Sequence, residues 1–122
     1  MKIQALFISD VHLGSKGSNA ENVLTILKQY QPEHLFLVGD IIDGWLLKRK
    51  FRWPQSHTNV LRKILSYSKN GTKVIYIPGN HDEFMRDYLD LQFGNIEIHN
   101  EYIYKDNYIT HGDLYDGVVK LK

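Results

Sequence analysis

The chain has 122 residues, a formal net charge of +1 and no cysteine. With 43% hydrophobic and 24% charged residues it has the composition of a globular domain with an apolar core, which excludes a disordered tail, a disulfide scaffold and a thiolate metal site. The near-neutral charge excludes whole-surface attraction to nucleic acid or anionic lipid and leaves any such contact to a local patch.

Met1 and Lys2 lead directly into the β-forming run IQALFI, which has neither the shape of a signal peptide nor the length of a membrane span, so a cytoplasmic location is expected. The run ends at Ser9-Asp10 in a Gly- and Ser-containing loop. Ala20, Val23, Leu24 and Leu27 then fall at i, i+3, i+4 and i+7 behind Ser18 or Asn19 as N-cap, and Pro32 closes this first helix. The continuous apolar run HLFLV predicts a buried strand that stops at Gly39-Asp40. Val60, Leu61, Ile64 and Leu65 form a second helical stripe ending at Asn70-Gly71, and TKVIYI is a third strand. A short helix is expected near Phe84 to Leu91, followed by the short strands IEI, YIY and YIT, with Asp106-Asn107 turning the last two into a hairpin. Strand, helix, strand, helix, strand is the order of βαβ units with a parallel sheet, and no linker or repeat divides the chain, so residues 1–122 are expected to form a single α/β domain.

The residues directly after each strand are SDVHLG, GDIID, GNHDE and, after YIT, HGD. In an open α/β sheet ligands bind beyond the carboxyl ends of parallel strands, so these four loops become neighbours in space. They bring together Asp10, His12, Asp40, Asp43, Asn80, His81, Asp82, His111 and Asp113, a set of oxygen and nitrogen donors without sulfur that suits Mn²⁺, Fe, Zn²⁺ or Mg²⁺. Asp-x-His alone is uninformative, since about 0.4 chance occurrences are expected in a chain of this composition, whereas Gly-Asn-His-Asp is expected only about 0.002 times. Turn chemistry accounts for the Gly and Asp residues but not for the histidines.

DVH, GDIID, GNHD and HGD together resemble the first four motifs of the calcineurin-like metallophosphoesterases. Within that superfamily GDIIDGW, GNHDEFMR and THGDLYD are most similar to the UDP-2,3-diacylglucosamine pyrophosphohydrolase group. The resemblance implies part of a four-layer α/β/β/α sandwich and two divalent ions, Mn first and Fe, Zn or Mg otherwise. It also implies hydrolysis of a phosphoester or a nucleotide-linked pyrophosphate. By the same resemblance Asp10 and His12 hold one ion, Asp40 bridges both, and Asn80 and His111 belong to the second. His81 acts at the leaving oxygen with Asp82 orienting it, while Asp43 and Asp113 support the ligands. A nuclease or phosphoprotein phosphatase of the same superfamily is the alternative enzyme, and a non-catalytic interaction module is the alternative of another class.

The family's further motif, Gly-His-x-His, does not occur in this chain, which therefore resembles the N-terminal part of the family fold. A partner chain or self-association completing that fold is the corresponding expectation. His34, His57 and His99 lie outside the motifs and are expected at the surface or at caps. Finally, LLKRKFRWPQ clusters cations around two aromatics, so Arg49, Arg52 and Trp53, with Arg86 from GNHDEFMR, are expected substrate contacts. Peripheral contact with a membrane surface is a second use of that stretch, and no stable nucleic-acid complex is expected.

Overall fold

Alternation along the strands decides which side chain meets which layer. In the computed structural model, residues 1–15, 18–44, 47, 53–89 and 92–111 are described. They form β1 (Lys2–Ile8), α1 (Ala20–Gln29), β2 (Gln31–Val38), α2 (Gln55–Lys69), β3 (Lys73–Ile77), a 3-10 helix (Glu83–Tyr88), β4 (Gln92–Phe93), β5 (Ile96–Ile98), β6 (Glu101–Tyr104) and β7 (Asn107–Thr110). The main sheet has the order β1-β2-β3-β5-β4; the first four of these strands run parallel, and β4 pairs antiparallel with β5 at the edge.

Leu35, Leu37, Val74, Tyr76 and Ile98 face the helices and pack with Leu27 of α1 and Val60, Ile64 and Tyr67 of α2. The Tyr67 hydroxyl donates to the carbonyls of Leu27 and Tyr30, which fastens α2 to the end of α1. The intervening residues Phe36, Ile75 and Ile77 point to the opposite face, where Ile109, Tyr102 and Tyr104 of the β6–β7 hairpin cover them. Phe7 stacks on Phe36 there, with ring centroids 4.7 Å apart. Both faces of the central strands are thus buried, which is why HLFLV and VIYI read as unbroken apolar runs.

The α/β class and the three principal strands are as the sequence predicts, and the differences are local. The expected helix near Phe84 is a 3-10 helix, and the two-residue strand β4 is too short to carry a period. The hairpin turns at Lys105-Asp106, one residue earlier than expected, with φ of +47° and +67°. Two left-handed residues in a two-residue loop make a type I′ turn, whose twist matches the flanking strands. Leu65 is exposed, because α2 turns His57, Val60, Ile64 and Tyr67 inward instead. His57 corrects a second expectation: it is buried, with the Trp53 ring edge-on against it.

Replacing Phe36 by Ala removes a fully buried ring between sheet and hairpin, and should cost about 3–5 kcal/mol in denaturant unfolding. A loss below about 1 kcal/mol would mean that the hairpin face is not a true core.

Candidate metal centre

The strand pattern does not stop where the strands do. Val11 and Leu13 are buried in the helix-side core while Asp10 and His12, which alternate with them, are not, so the apolar/polar alternation of β1 continues through DVHL. The backbone ladder continues with it. Asp10 N–H donates to the Gly39 carbonyl (3.0 Å), His12 N–H to that of Asp40 (2.9 Å) and Leu13 N–H to that of Ile41 (2.7 Å). Buried apolar residues thus anchor the loops, and the donors between them are delivered to one place.

Asp10, His12 and Asp40 have φ of +55°, +55° and +53°. Among the described residues, the other non-glycines with positive φ are the two hairpin-turn residues. A left-handed L residue costs on the order of 1–2 kcal/mol, and such strain persists where the surroundings over-determine it, characteristically at functional sites.

Each of Asp10, His12 and Asp40 offers a ligand atom within 4.8 Å of the other two. His111 joins them from the end of β7: its Nε2 lies 3.8 Å from Asp10 Oδ1 and 3.6 Å from Asp40 Oδ2. These separations are too long for hydrogen bonds. The separation from Asp40 matches the roughly 3–4 Å between neighbouring donors that each sit about 2.1 Å from a shared ion. Two glycines make the approach possible. A Cβ on Gly39, itself at φ +73°, would lie 1.9 Å from the His111 ring, and one on Gly79 would lie 2.6 Å from Asp40 Oδ1. Burial pushes the Asp40 carboxyl above its usual range, against a lowering hydrogen bond from His81 N–H and attraction to His111, and the Asp82 charge pushes it further up. A buried carboxylate that is costly to ionise alone fits a site completed by cations, so the donor set fits divalent metal.

Two carboxylates exchange their expected places. Asp82 was expected to orient His81, but it is fully buried and accepts from the backbone N–H groups of Gly79, Asp40 and Ile41 and from the Tyr76 hydroxyl. The carboxylate facing the His81 ring is that of Asp43: His81 Nδ1 lies 3.2 Å from one Asp43 oxygen and His12 Nδ1 3.2 Å from the other. Adjacency in GNHD hid this, and the Asp-x-x-Asp spacing of GDIID was the signal for it. His12, Asp43 and His81 also offer three donors within 4.8 Å. The hydrogen-bond distances at both Nδ1 atoms identify them as a carboxylate clamping two imidazoles.

The backbone on both sides of Asn80 is tied into the site, through Gly79 N–H to Asp82 and His81 N–H to Asp40 Oδ1. Arg86 bonds Asn100 Oδ1 through Nε and the Pro78 carbonyl through its guanidinium, so it braces the loop after β3. Trp53 is partly buried and packs on the helix-side core. Arg49, Arg52 and Asp113 lie outside the described residues.

A model of the family described as calcineurin-like phosphoesterase matches residues 3–120, and the chain belongs to that family. It is 26% identical over 103 residues to a UDP-2,3-diacylglucosamine hydrolase of Porphyromonas gingivalis, covering 77% of this chain and 38% of that protein. The chain therefore spans well under half the length of that curated relative. A solved structure of a Pseudomonas putida nuclease shares 25% identity and a TM-score of 0.49, over 83% of this chain and half of that one.

Four outcomes test this geometry. Asp40 has a raised folded-state pKa, so the metal-free protein should lose stability as pH rises from about 4 through that pKa. Asp40→Asn should flatten this fall and raise the metal-free melting temperature at pH 7 in calorimetry while weakening metal binding. Gly79→Ala should push on Asp40 and His111 and weaken metal binding measured by titration, with little change in far-UV circular dichroism. Asp82→Ala, which strands buried donors, should cost about 3 kcal/mol or more in urea unfolding.

Proposed function

We propose that this chain carries the part of a divalent-metal-dependent phosphoester hydrolase that binds the metals and protonates the leaving group. The observation that carries the reading is the convergence of Asp10, His12, Asp40 and His111, from three strand ends, at spacings suited to cations. Asp10 and His12 would hold one ion, Asp40 both, and His111 and Asn80 the second. Bound divalent ions supply Lewis-acid polarisation of a phosphoryl oxygen and a nucleophile at neutral pH. The chain's own residues do the rest. Asp43 fixes the His81 ring through Nδ1, so that the imidazolium form can pass its Nε2 proton to the leaving oxygen as the P–O bond breaks and be left as the neutral ring. Asp82 holds the Asp40 backbone still beneath the reacting groups.

The substrate reading is a nucleotide-linked pyrophosphate such as UDP-2,3-diacylglucosamine, supported by the likeness to the Porphyromonas gingivalis hydrolase and by the GDIIDGW and GNHDEFMR runs. Mn²⁺ is the metal to try first.

Hydrolysis of bis(4-nitrophenyl) phosphate and of UDP-2,3-diacylglucosamine should depend on added Mn²⁺, fall to background in Asp40→Asn, and fall about 10–100-fold in Asp43→Asn. Equal rates for wild type and Asp40→Asn would sink the enzyme reading. Turnover of the generic diester without the nucleotide-linked one would sink the substrate reading alone.

A further inference from the structure

His57 lies in the first turn of α2, outside every motif that the metal reading uses. It is only 4% exposed, and a buried imidazole has to account for its ring nitrogens. Its Nδ1 accepts a hydrogen bond from the Gly14 backbone N–H at 2.9 Å, across 43 residues of sequence. The Trp53 ring stands edge-on to it, with centroids 5.6 Å apart and planes at 82°. Burial lowers its pKa, in keeping with a neutral ring whose Nδ1 lone pair is available. A neutral histidine with an accepting Nδ1 carries its proton on Nε2.

The partner of this bond matters more than its burial. Gly14 sits two residues beyond His12, in a turn closed by Ser15 N–H donating to the His12 carbonyl (3.0 Å). Its φ is +95°, and a Cβ there would meet Leu47 at 2.7 Å, so the turn is both left-handed and tightly covered. On the sheet side this turn is held by the bonds from His12 and Leu13 to the carbonyls after β2. On the helix side the Gly14 N–H is held by His57. His12, at φ +55°, makes the first of the sheet-side bonds and lies two residues before Gly14, at the other end of this anchored turn.

Resting on the metal reading above, we infer that His57 is a positioning residue for the metal site: from α2 it clamps Gly14 and thereby fixes the turn that aims the His12 imidazole. Trp53 is its brace. The neutral ring is used as an acceptor, and no proton transfer or metal contact is assigned to it.

The test compares His57→Phe, which keeps ring volume without an acceptor, with His57→Asn, whose Oδ1 can take the place of Nδ1. Mn²⁺ affinity of the full chain is read by electron paramagnetic resonance, Gly14 amide exchange by NMR, and the melting temperature separately. His57→Phe should weaken Mn²⁺ binding about tenfold and speed Gly14 exchange, while His57→Asn stays within about threefold of wild type in both. Rescue by the asparagine separates positioning from simple core packing, which the smaller amide would restore less well than phenylalanine. Should the phenylalanine variant fail to fold, His57→Leu carries the same comparison. Equal Mn²⁺ affinity in wild type and His57→Phe, or an asparagine variant no better than the phenylalanine one, would overturn the inference. A wild-type chain that binds no Mn²⁺ overturns the metal reading, and this inference with it.

Discussion

Everything at this site hangs on the side chain of Asp82. A carboxylate without solvent is expensive unless its oxygens are filled, and here they are filled by amides from the ends of β2 and β3 and by the hydroxyl of Tyr76. The two loops cannot separate without leaving that carboxylate and its donors unpaired. Burial pushes the Tyr76 hydroxyl well above its ordinary range, with the Asp82 charge adding to the effect, so the pair stays a hydroxyl donating to a carboxylate. The strained backbone of Asp40 is held by this network, and Asp40 is where Asp10 and His12 after β1 meet His111 after β7.

The layers of the fold serve the same end. Val11, Leu13 and Ile41 are loop residues by position and core residues by burial. They tie the post-strand loops to the helix-side core with the same alternation that builds the strands, and that is why polar groups on different loops arrive within a few ångströms of each other. Across the sheet, Phe36, Ile75 and Ile77 under the hairpin bring β7 close enough for His111 to reach the cluster. Gly39 and Gly79 leave the space into which that imidazole fits.

Most of the frame was legible in the sequence because period and punctuation are local properties. HLFLV, TKVIYI and the Ala20–Leu27 stripe declare themselves, and the donors after β1, β2 and β3 need only the rule that parallel strands end on one side, whereas His111 arrives from the antiparallel hairpin, which that rule does not cover. The direction of a single side chain in a tight turn is not local. His81 and Asp82 are neighbours in the chain, yet one is partly exposed and the other fully buried, and Asp43, 38 positions away, meets the imidazole instead. The hairpin slipped by one residue for a related reason: Asp106-Asn107 has the better turn chemistry, but pairing of Tyr104 with Asn107 leaves Lys105 to take a left-handed conformation. His57 reads as a surface or capping residue because nothing in its surroundings in sequence points to Gly14.

The clamp formed by Asp43 has a consequence for tautomers. One carboxylate accepts from Nδ1 of both His12 and His81, so in each ring that nitrogen carries a proton. Each ring therefore does its chemistry at Nε2. Nε2 of His12 offers its lone pair to a metal, while Nε2 of His81 has to take up a second proton before it can give one away, and these different tasks follow from what faces each Nε2 rather than from how each ring is held.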